Sequence, residues 1–326
     1  MRAVVITEHG GPEVLRVVDV EKPQPNANEI LVKVRATSLN RADLMQRMGF
    51  YPDPFPGQHE VPGLEFAGTV ESCGADAKIW MPGDQVMGIV SGGGYAEYLV
   101  VHQQQAMRVP SKVGLDDAGA IPEVFVTAWD ALVIQGNLQS GGWALVHAGA
   151  SGVGTAAIQI CKAIGANVIV TCSSGKRDAC LSLGADMAVD YKTEDFVDVC
   201  KHATNNHGIN AVLDVVGGEY LNRNVATLAL KGTIVQVGLM GGGSTPFNIA
   251  ALMPKRARLI ATVLRPRPLE EKIALTQRFI SEMLPMFEAG KLRPIIDSRY
   301  PLENISAAHR YMETNASTGK IVIDVC

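Results

Sequence analysis

The 326-residue sequence is poor in aromatics, at 6%, with eight Phe, seven Tyr and three Trp. No apolar run reaches the roughly 18–20 residues that a membrane-spanning helix needs. It has no Cys-x-x-Cys pair, no Cys/His cluster at zinc spacing and no His-Glu-x-x-His, so the common metal-site signatures are missing. Its cysteines, Cys73, Cys161, Cys172, Cys180, Cys200 and Cys326, read as plain thiols in a reducing compartment. No basic run marks a nucleic-acid footprint, and the net charge is −4. The opening residues, Met1 to Glu8, turn acidic too early for a signal peptide and read as a strand. These absences predict a cytoplasmic globular protein with neither a membrane nor a nucleic-acid partner.

What is present is 47% hydrophobic residues, 33 glycines and a chain long enough for two domains. Residues 1–124 carry short β-like runs separated by Pro/Gly breaks such as Tyr51–Gly57 and Met81-Pro82-Gly83-Asp84. Residues 125–265 alternate strand and helix. Predicted strands are Ala144–His147, Asn167–Thr171, Met187–Val189, Ala211–Val215, Thr233–Val237 and Leu259–Val263, with helices at 153–164, 176–183 and 220–230. That alternation predicts a doubly wound α/β sheet. Residues 266–326 carry one long helix through Ile280, Met283, Leu284 and Phe287, a second helix at Ala307–Glu313 and a strand at Ile321–Val325. So short a tail is expected to complete the N-terminal β-rich domain, 1–124 plus 266–326, with 125–265 inserted.

The most informative segment is Val146-His147-Ala148-Gly149-Ala150-Ser151-Gly152-Val153-Gly154. It joins a buried strand to an amphipathic helix, the place where a dinucleotide pyrophosphate rests on backbone N–H groups. Ala150, Ser151, Gly152 and Val153 are therefore candidate cofactor contacts. Roughly 20 residues further on, an NAD site carries Asp or Glu for the ribose hydroxyl. This chain has Ser173, Ser174, Lys176 and Arg177 instead, suited to a 2′-phosphate, with Tyr191 after the third strand as a cover. The expected cofactor is NADPH. Gly217, Leu239 and Met240 follow later strands, at the carboxyl ends where such sheets bind ligands, and Leu264 follows the sixth.

Asn40-Arg41-Ala42-Asp43-Leu44, Pro62-Gly63-Leu64-Glu65-Phe66-Ala67-Gly68, Gly83-Asp84-Gln85-Val86, Ala148–Ala157 and Gly319-Lys320-Ile321-Val322 extend the pattern over essentially the whole chain. Together they resemble the quinone oxidoreductase branch of the medium-chain dehydrogenase/reductase superfamily. Asn40–Met48, Gly92-Gly93-Gly94, His147–Gln159 and Gly238–Gly243 resemble its p53-inducible group. The resemblance implies a GroES-like β-rich domain with an inserted Rossmann domain. It also implies a zinc-independent enzyme. Leu64 stands where zinc-dependent members have a histidine ligand, Ala36–Asn40 hold no thiol, and residues 74–160 hold no cysteine. Glu65 and Asp84 are left with structural roles in turns.

The same resemblance places Asn40 near the nicotinamide, orienting the ring or a substrate oxygen; capping the helix that starts at Arg41 is the alternative. It places Tyr51 at the cofactor or quinone site, stacking on a flat acceptor and donating its hydroxyl, or else as an aromatic lid on a proline-rich loop. Thr127 falls near the nicotinamide. Ser151 faces the phosphates, and Lys320 falls near the 2′-phosphate or is a surface lysine. Three readings follow: a zinc-independent NADPH:quinone reductase, an NADPH-dependent enone or alkenal double-bond reductase, and an NADPH-binding redox sensor with little catalysis. The apolar edge segment Leu259–Val263 predicts a homodimer.

Overall fold

The computed structural model describes residues 1–55 and 57–325. Cys326, one of the six cysteines, and Pro56, inside the Tyr51–Gly57 break, lie outside the described residues. The chain divides into two compact units, one of 1–126 with 264–326 and one of 127–263.

In the first unit β1 (Arg2–Ile6) and β2 (Leu15–Asp19) form an antiparallel ribbon. The ten-residue β3 (Glu29–Ser38) is the spine of the main sheet. One edge of it pairs along its length with β4 (Glu65–Cys73), which carries β5 (Gln85–Ile89). Its other edge is shared, because β6 (Tyr98–His102) takes Glu29–Lys33 and leaves the C-terminal half open. Register shifts at Leu31/Val32 and Val34/Ala36 bend β3 between those halves, as bulges do. A short strand, β7 (Ala106–Arg108), closes the far edge against β5.

The second unit is a six-stranded parallel sheet: β8 (Trp143–Val146), β9 (Asn167–Cys172), β10 (Met187–Asp190), β11 (Ile209–Asp214), β12 (Leu228–Gln236) and β13 (Arg258–Ala261). The spatial order is β10-β9-β8-β11-β12-β13, the doubly wound order that binds dinucleotides where the strand sequence reverses. Its strands other than the edge strand β13 are largely buried on both faces, with Leu145, Ile169, Val212 and Ile234 fully enclosed. The helices Phe196–Ala203, capped by Asp195 on the Val197 N–H, and Pro122–Trp129 are among those missing from the sequence-based set. The helix predicted to reach residue 230 stops at Thr227, where Leu228 turns extended and opens β12.

The chain then re-enters the first unit. The long helix predicted there is two, Leu269–Glu282 and Leu284–Glu288, broken at Met283. Pro285 explains the break: it lacks the N–H and collides with the preceding turn. The final strands, β14 (Ile296–Pro301) and β15 (Lys320–Asp324), complete the first sheet, β15 pairing with the open half of β3 at Ala36–Ser38. Ile321 and Ile323 share one core with Val32, Val34 and Phe66. Lys320 thereby lands beside the end of β3 and the start of β4. No helix among the described residues is long and apolar enough to cross a membrane.

Candidate functional site

The glycine turn is built by steric exclusion. Ala148 takes a left-handed φ of 56°, and the Gly149 N–H reaches the Thr171 carbonyl at 2.9 Å. A Cβ on Gly149 would lie 2.5 Å from the Cβ of Val170; one on Gly154 would lie 2.4 Å from the carbonyl oxygens of Ala148 and Gly149. Only glycine lets this turn pack so closely on β9 and on itself. Ser151 caps the 12-residue helix Gly152–Ala163 by accepting the Gly154 N–H at 3.0 Å. Its hydroxyl is a cap, not a nucleophile. Ser151, Gly152 and Val153 are half-buried and Ala150 is buried at the rim. A helix N-terminus with half-buried backbone fits a dinucleotide pyrophosphate.

The loop after β9 brings Ser173, Ser174, Lys176 and Arg177 together, and the Tyr191 N–H bonds the Cys172 carbonyl at 3.2 Å, so Tyr191 stands beside them. Arg177 is not free. Its Nη1 donates to Glu194 Oε2 at 2.6 Å, and the same oxygen accepts the Asp190 N–H at 2.8 Å. The missing carboxylate at the end of β9 is thus partly replaced by one arriving after β10, which no spacing rule from the turn would find. Both side chains of that pair are more than a third exposed, so the pair is weak and a competing anion can displace it.

Beneath the turn runs a buried polar chain that the sequence reading did not anticipate. Asp214, at the end of β11, accepts the Val216 and Gly217 N–H groups on Oδ1, at 2.6 and 2.9 Å, and Asn224 Nδ2 on Oδ2 at 2.8 Å. Asn224 Oδ1 must then accept from His147 Nε2, 2.7 Å away, leaving Nδ1 to accept from Thr171 Oγ1 at 3.0 Å. Burial holds His147 below its usual pKa, consistent with a neutral ring. The chain ties the ends of β8, β9 and β11 together and aims the Gly217 loop. The Met240 and Gly241 N–H groups bond the carbonyls of Val215 and Val216, which leaves Leu239 and Met240 exposed beside it. The only sequence signal for this chain was a polar residue ending an apolar strand.

In the first unit a second polar cluster gathers around Glu65, which is fully buried at the head of β4. Its Oε1 accepts Ser38 Oγ at 2.6 Å, Asn40 Nδ2 at 2.9 Å and Lys320 Nζ at 2.9 Å; its Oε2 accepts the Glu123 N–H at 2.8 Å. Lys320 donates besides to the Leu39 carbonyl at 2.7 Å and to Asn40 Oδ1 at 2.6 Å. All three of its ammonium hydrogens are used, and the side chain is 3% exposed. Lys320 is therefore neither a surface lysine nor free for a 2′-phosphate; it is the counter-ion of Glu65. Asn40 is corrected likewise. Its Nδ2 goes to Glu65, with a longer 3.4 Å contact to the Ser38 carbonyl, and its Oδ1 to Lys320, so its amide has little left for a substrate oxygen. Its N–H bonds Asp43 Oδ2 at 2.7 Å at the start of helix Arg41–Arg47. Glu65, read as a turn residue, is the hub. Asp84 does sit in a turn, accepting the Met81 N–H at 2.9 Å.

Tyr51 is half-buried and close enough to Glu123 to feel its charge; burial first, then Glu123, pushes its pKa up to about 12. Arg265 holds it, with Nη1 on the Tyr51 and Pro52 carbonyls at 3.1 and 3.3 Å and the guanidinium carbon 5.1 Å from the ring centre. Arg265 Nε bonds the Ser91 carbonyl at 2.6 Å, so the arginine after Leu264 clamps loops together and is not open to a ligand. Leu264 itself is half-buried, and Thr127 is buried one helical turn after Glu123. Asp43 is buried under Tyr95, whose hydroxyl donates to it at 2.8 Å, and burial raises its pKa to about 6. Among the described residues no group of three or more His, Cys, Asp or Glu is arranged to hold a metal ion.

Residues 26–111 match the alcohol dehydrogenase GroES-like domain family, and residues 183–323 match the zinc-binding dehydrogenase family. The chain is 30% identical to the quinone oxidoreductase of Homo sapiens, over 99% of this chain and 97% of that one. It superposes with a TM-score of 0.89 on the Escherichia coli quinone oxidoreductase solved in complex with NADPH, at 27% identity and full coverage of both chains. It also superposes with a TM-score of 0.88 on the CurK enoyl reductase, at 26% identity over 99% of this chain and 98% of the other. With its GroES-like sheet and inserted Rossmann sheet, the chain belongs to the quinone oxidoreductase branch of the medium-chain dehydrogenase/reductase superfamily and is an oxidoreductase.

Proposed function

We propose that this protein is a zinc-independent NADPH:quinone reductase. The observation that carries the cofactor choice is the loop after β9, where Ser173, Ser174, Lys176 and Arg177 stand together and Arg177 is paired with the displaceable Glu194. When bound, the cofactor supplies a hydride. The turn at Ala150–Val153 and the loops at Gly217 and Leu239–Met240 would hold it, with Tyr191 covering the 2′ position and Thr127, Leu264 and Tyr51 on the nicotinamide side.

The acceptor reading rests on the loop that carries Tyr51. Phe50 and Phe55 are 72% and 65% exposed beside a tyrosine that keeps its proton throughout the physiological range. Exposed rings flanking a phenolic donor suit a flat, apolar carbonyl acceptor. An α,β-unsaturated carbonyl has the same chemistry at its oxygen, and the likeness to an enoyl reductase supports that as the second reading.

Cofactor oxidation measured with NADPH and NADH against a panel of quinones and alkenals tests both. The first reading expects quinone turnover with NADPH preferred. Alkenal turnover without quinone turnover selects the second, NADH preference overturns the assignment of Ser173–Arg177, and tight NADPH binding without turnover of either acceptor selects a redox sensor. Loss of activity on chelation would overturn zinc independence. We propose a homodimer as well: β13 is the last strand of its sheet, and Leu259 and Val263 on and after it are 42% and 50% exposed. A monomeric mass by light scattering would contradict this. A cytoplasmic location completes the proposal.

A further inference from the structure

Two-electron reduction of a carbonyl acceptor by hydride leaves an oxygen in need of a proton. The first unit offers few groups able to give one. The Asn40 amide is committed to Glu65 and Lys320. Lys320 has spent its hydrogens on three acceptors. Asp43 is sealed beneath Tyr95 and the Asn40 N–H. The Tyr51 phenol donates a hydrogen bond readily but, at about 12, surrenders its proton poorly.

Glu123 differs from all of these. It lies in the first turn of helix Pro122–Trp129, and in the run from Ile121 to Trp129 it alone is not buried. Its N–H is anchored to Glu65, yet among the described residues its carboxyl group makes no hydrogen bond. The carboxyl therefore opens onto the side of the helix that the protein leaves uncovered. The charged and titratable groups that act on it, or on which it acts, come from every element around it: Glu65 from β4, Lys320 from β15, Asp43 from helix Arg41–Arg47, Arg265, Tyr51 from its loop and Lys272 from helix Leu269–Glu282. Burial first, then the neighbouring Glu65, outweighs the two cations and keeps the Glu123 proton in place up to about pH 8.

We propose that Glu123 is the proton donor of the reduction. This rests on the reductase reading above and adds a catalytic residue to it. The hydride brings the acceptor two electrons and one hydrogen, leaving one oxygen negative. The Glu123 O–H bond then breaks heterolytically, its proton forms an O–H bond at that oxygen, and water returns a proton to the carboxylate. Tyr51 orients the acceptor by hydrogen bond without being consumed. A donor that keeps its proton to the alkaline side of neutrality is matched to its task at physiological pH.

The experiment compares Glu123→Gln and Glu123→Asp with the parent enzyme. For Glu123→Gln, kcat with a quinone should fall about a hundredfold, with KM and NADPH affinity little changed, and the fall in kcat above about pH 8 should vanish. Glu123→Asp keeps an acid and should retain that alkaline limb at a lower rate. A second readout needs no turnover: in an infrared titration of the cofactor-free protein, a protonated-carboxyl band should disappear near pH 8 in the parent and be missing in Glu123→Gln. Parent-like kcat and pH profile in Glu123→Gln, or a band that titrates in the ordinary carboxylate range, overturns the proposal. If the parent turns over neither quinones nor enones, the reductase reading fails and the donor role with it, while the infrared band still reports whether Glu123 holds its proton.

Discussion

The two units each bury a polar network, and the networks are built on opposite principles. In the Rossmann sheet the chain Thr171–His147–Asn224–Asp214 contains one formal charge, and its donors and acceptors are matched in turn. In the GroES-like sheet the network around Glu65 gathers Lys320, Asp43, Glu123 and Tyr95 within a few residues of one another in space. All the buried side-chain atoms without a hydrogen-bond partner among the described residues, on Asp43, Gln46, Arg265, Ser298 and His309, belong to that unit. A satisfied network with a single charge at its end holds backbone in place, which suits a site that binds phosphates by N–H groups. A charged and imperfectly satisfied one keeps protons in unusual positions, which suits chemistry.

The contrast is easiest to break at Lys320. Lys320→Met would strand Glu65 as a buried, uncompensated carboxylate and should cost about 3–5 kcal/mol in urea unfolding; a loss under about 1 kcal/mol would mean that Lys320 does not compensate Glu65. The next effect is a pH dependence. Glu123 loses its proton near its ordinary value of 4.5 in the unfolded chain but only near 8 when folded. The folded state therefore binds the extra proton between those values, and stability should decline as pH rises through that window. Allowing for partial exposure, the loss is about 2–3 kcal/mol. Denaturation at pH 5 and pH 9 should show that difference shrinking in Glu123→Gln; an equal slope in both proteins would refute it.

A smaller effect is expected in the other unit. Asn224→Leu leaves His147 Nε2–H and Asp214 Oδ2 unpaired and should cost about 1–3 kcal/mol. Because burial holds His147 below its usual pKa, the ring is already neutral at pH 7, so the loss should be nearly constant between pH 7 and pH 9, and a strong pH dependence there would erase the distinction between the networks. The smallest effect concerns cofactor choice. Glu194→Gln releases Arg177 from a half-exposed pair and should tighten NADPH binding a few-fold, about 0.5–1 kcal/mol, with little change for NADH; calorimetry that finds both cofactors tightened alike would remove Arg177 from the 2′ site.

Much of the fold was legible in the sequence because it rests on local rules. Val and Ile runs between breaks mark the Rossmann strands, and the glycines at 149 and 154 mark a turn that no larger residue can make. Errors came where local rules compete. Helix-like residues after 227 go to β12, and Pro285 splits a helix that its apolar spacing would continue. Helix Phe196–Ala203 escaped notice although Asp195 is a readable cap. The site was harder. Asn40, Lys320 and Tyr51 were singled out by resemblance, but what they touch depends on Glu65, Glu123 and Arg265, and spacing in the chain says nothing of those contacts.

By itself the sequence determined the fold class, the dinucleotide turn and the lack of a carboxylate at the end of β9. Each depends on which residues can occupy a strand, a tight turn or a helix start, and neighbours a few positions away decide that. Tertiary structure alone decided that Lys320 neutralises Glu65 across 255 residues, that Glu194 answers Arg177, and that Arg265 pins Tyr51. Such pairings follow from which strand ends meet in a sheet, and the charge state of a half-buried carboxyl such as Glu123 follows from what surrounds it there. Solvation and Coulomb forces act through space, so the protonation of this site is a property of the fold.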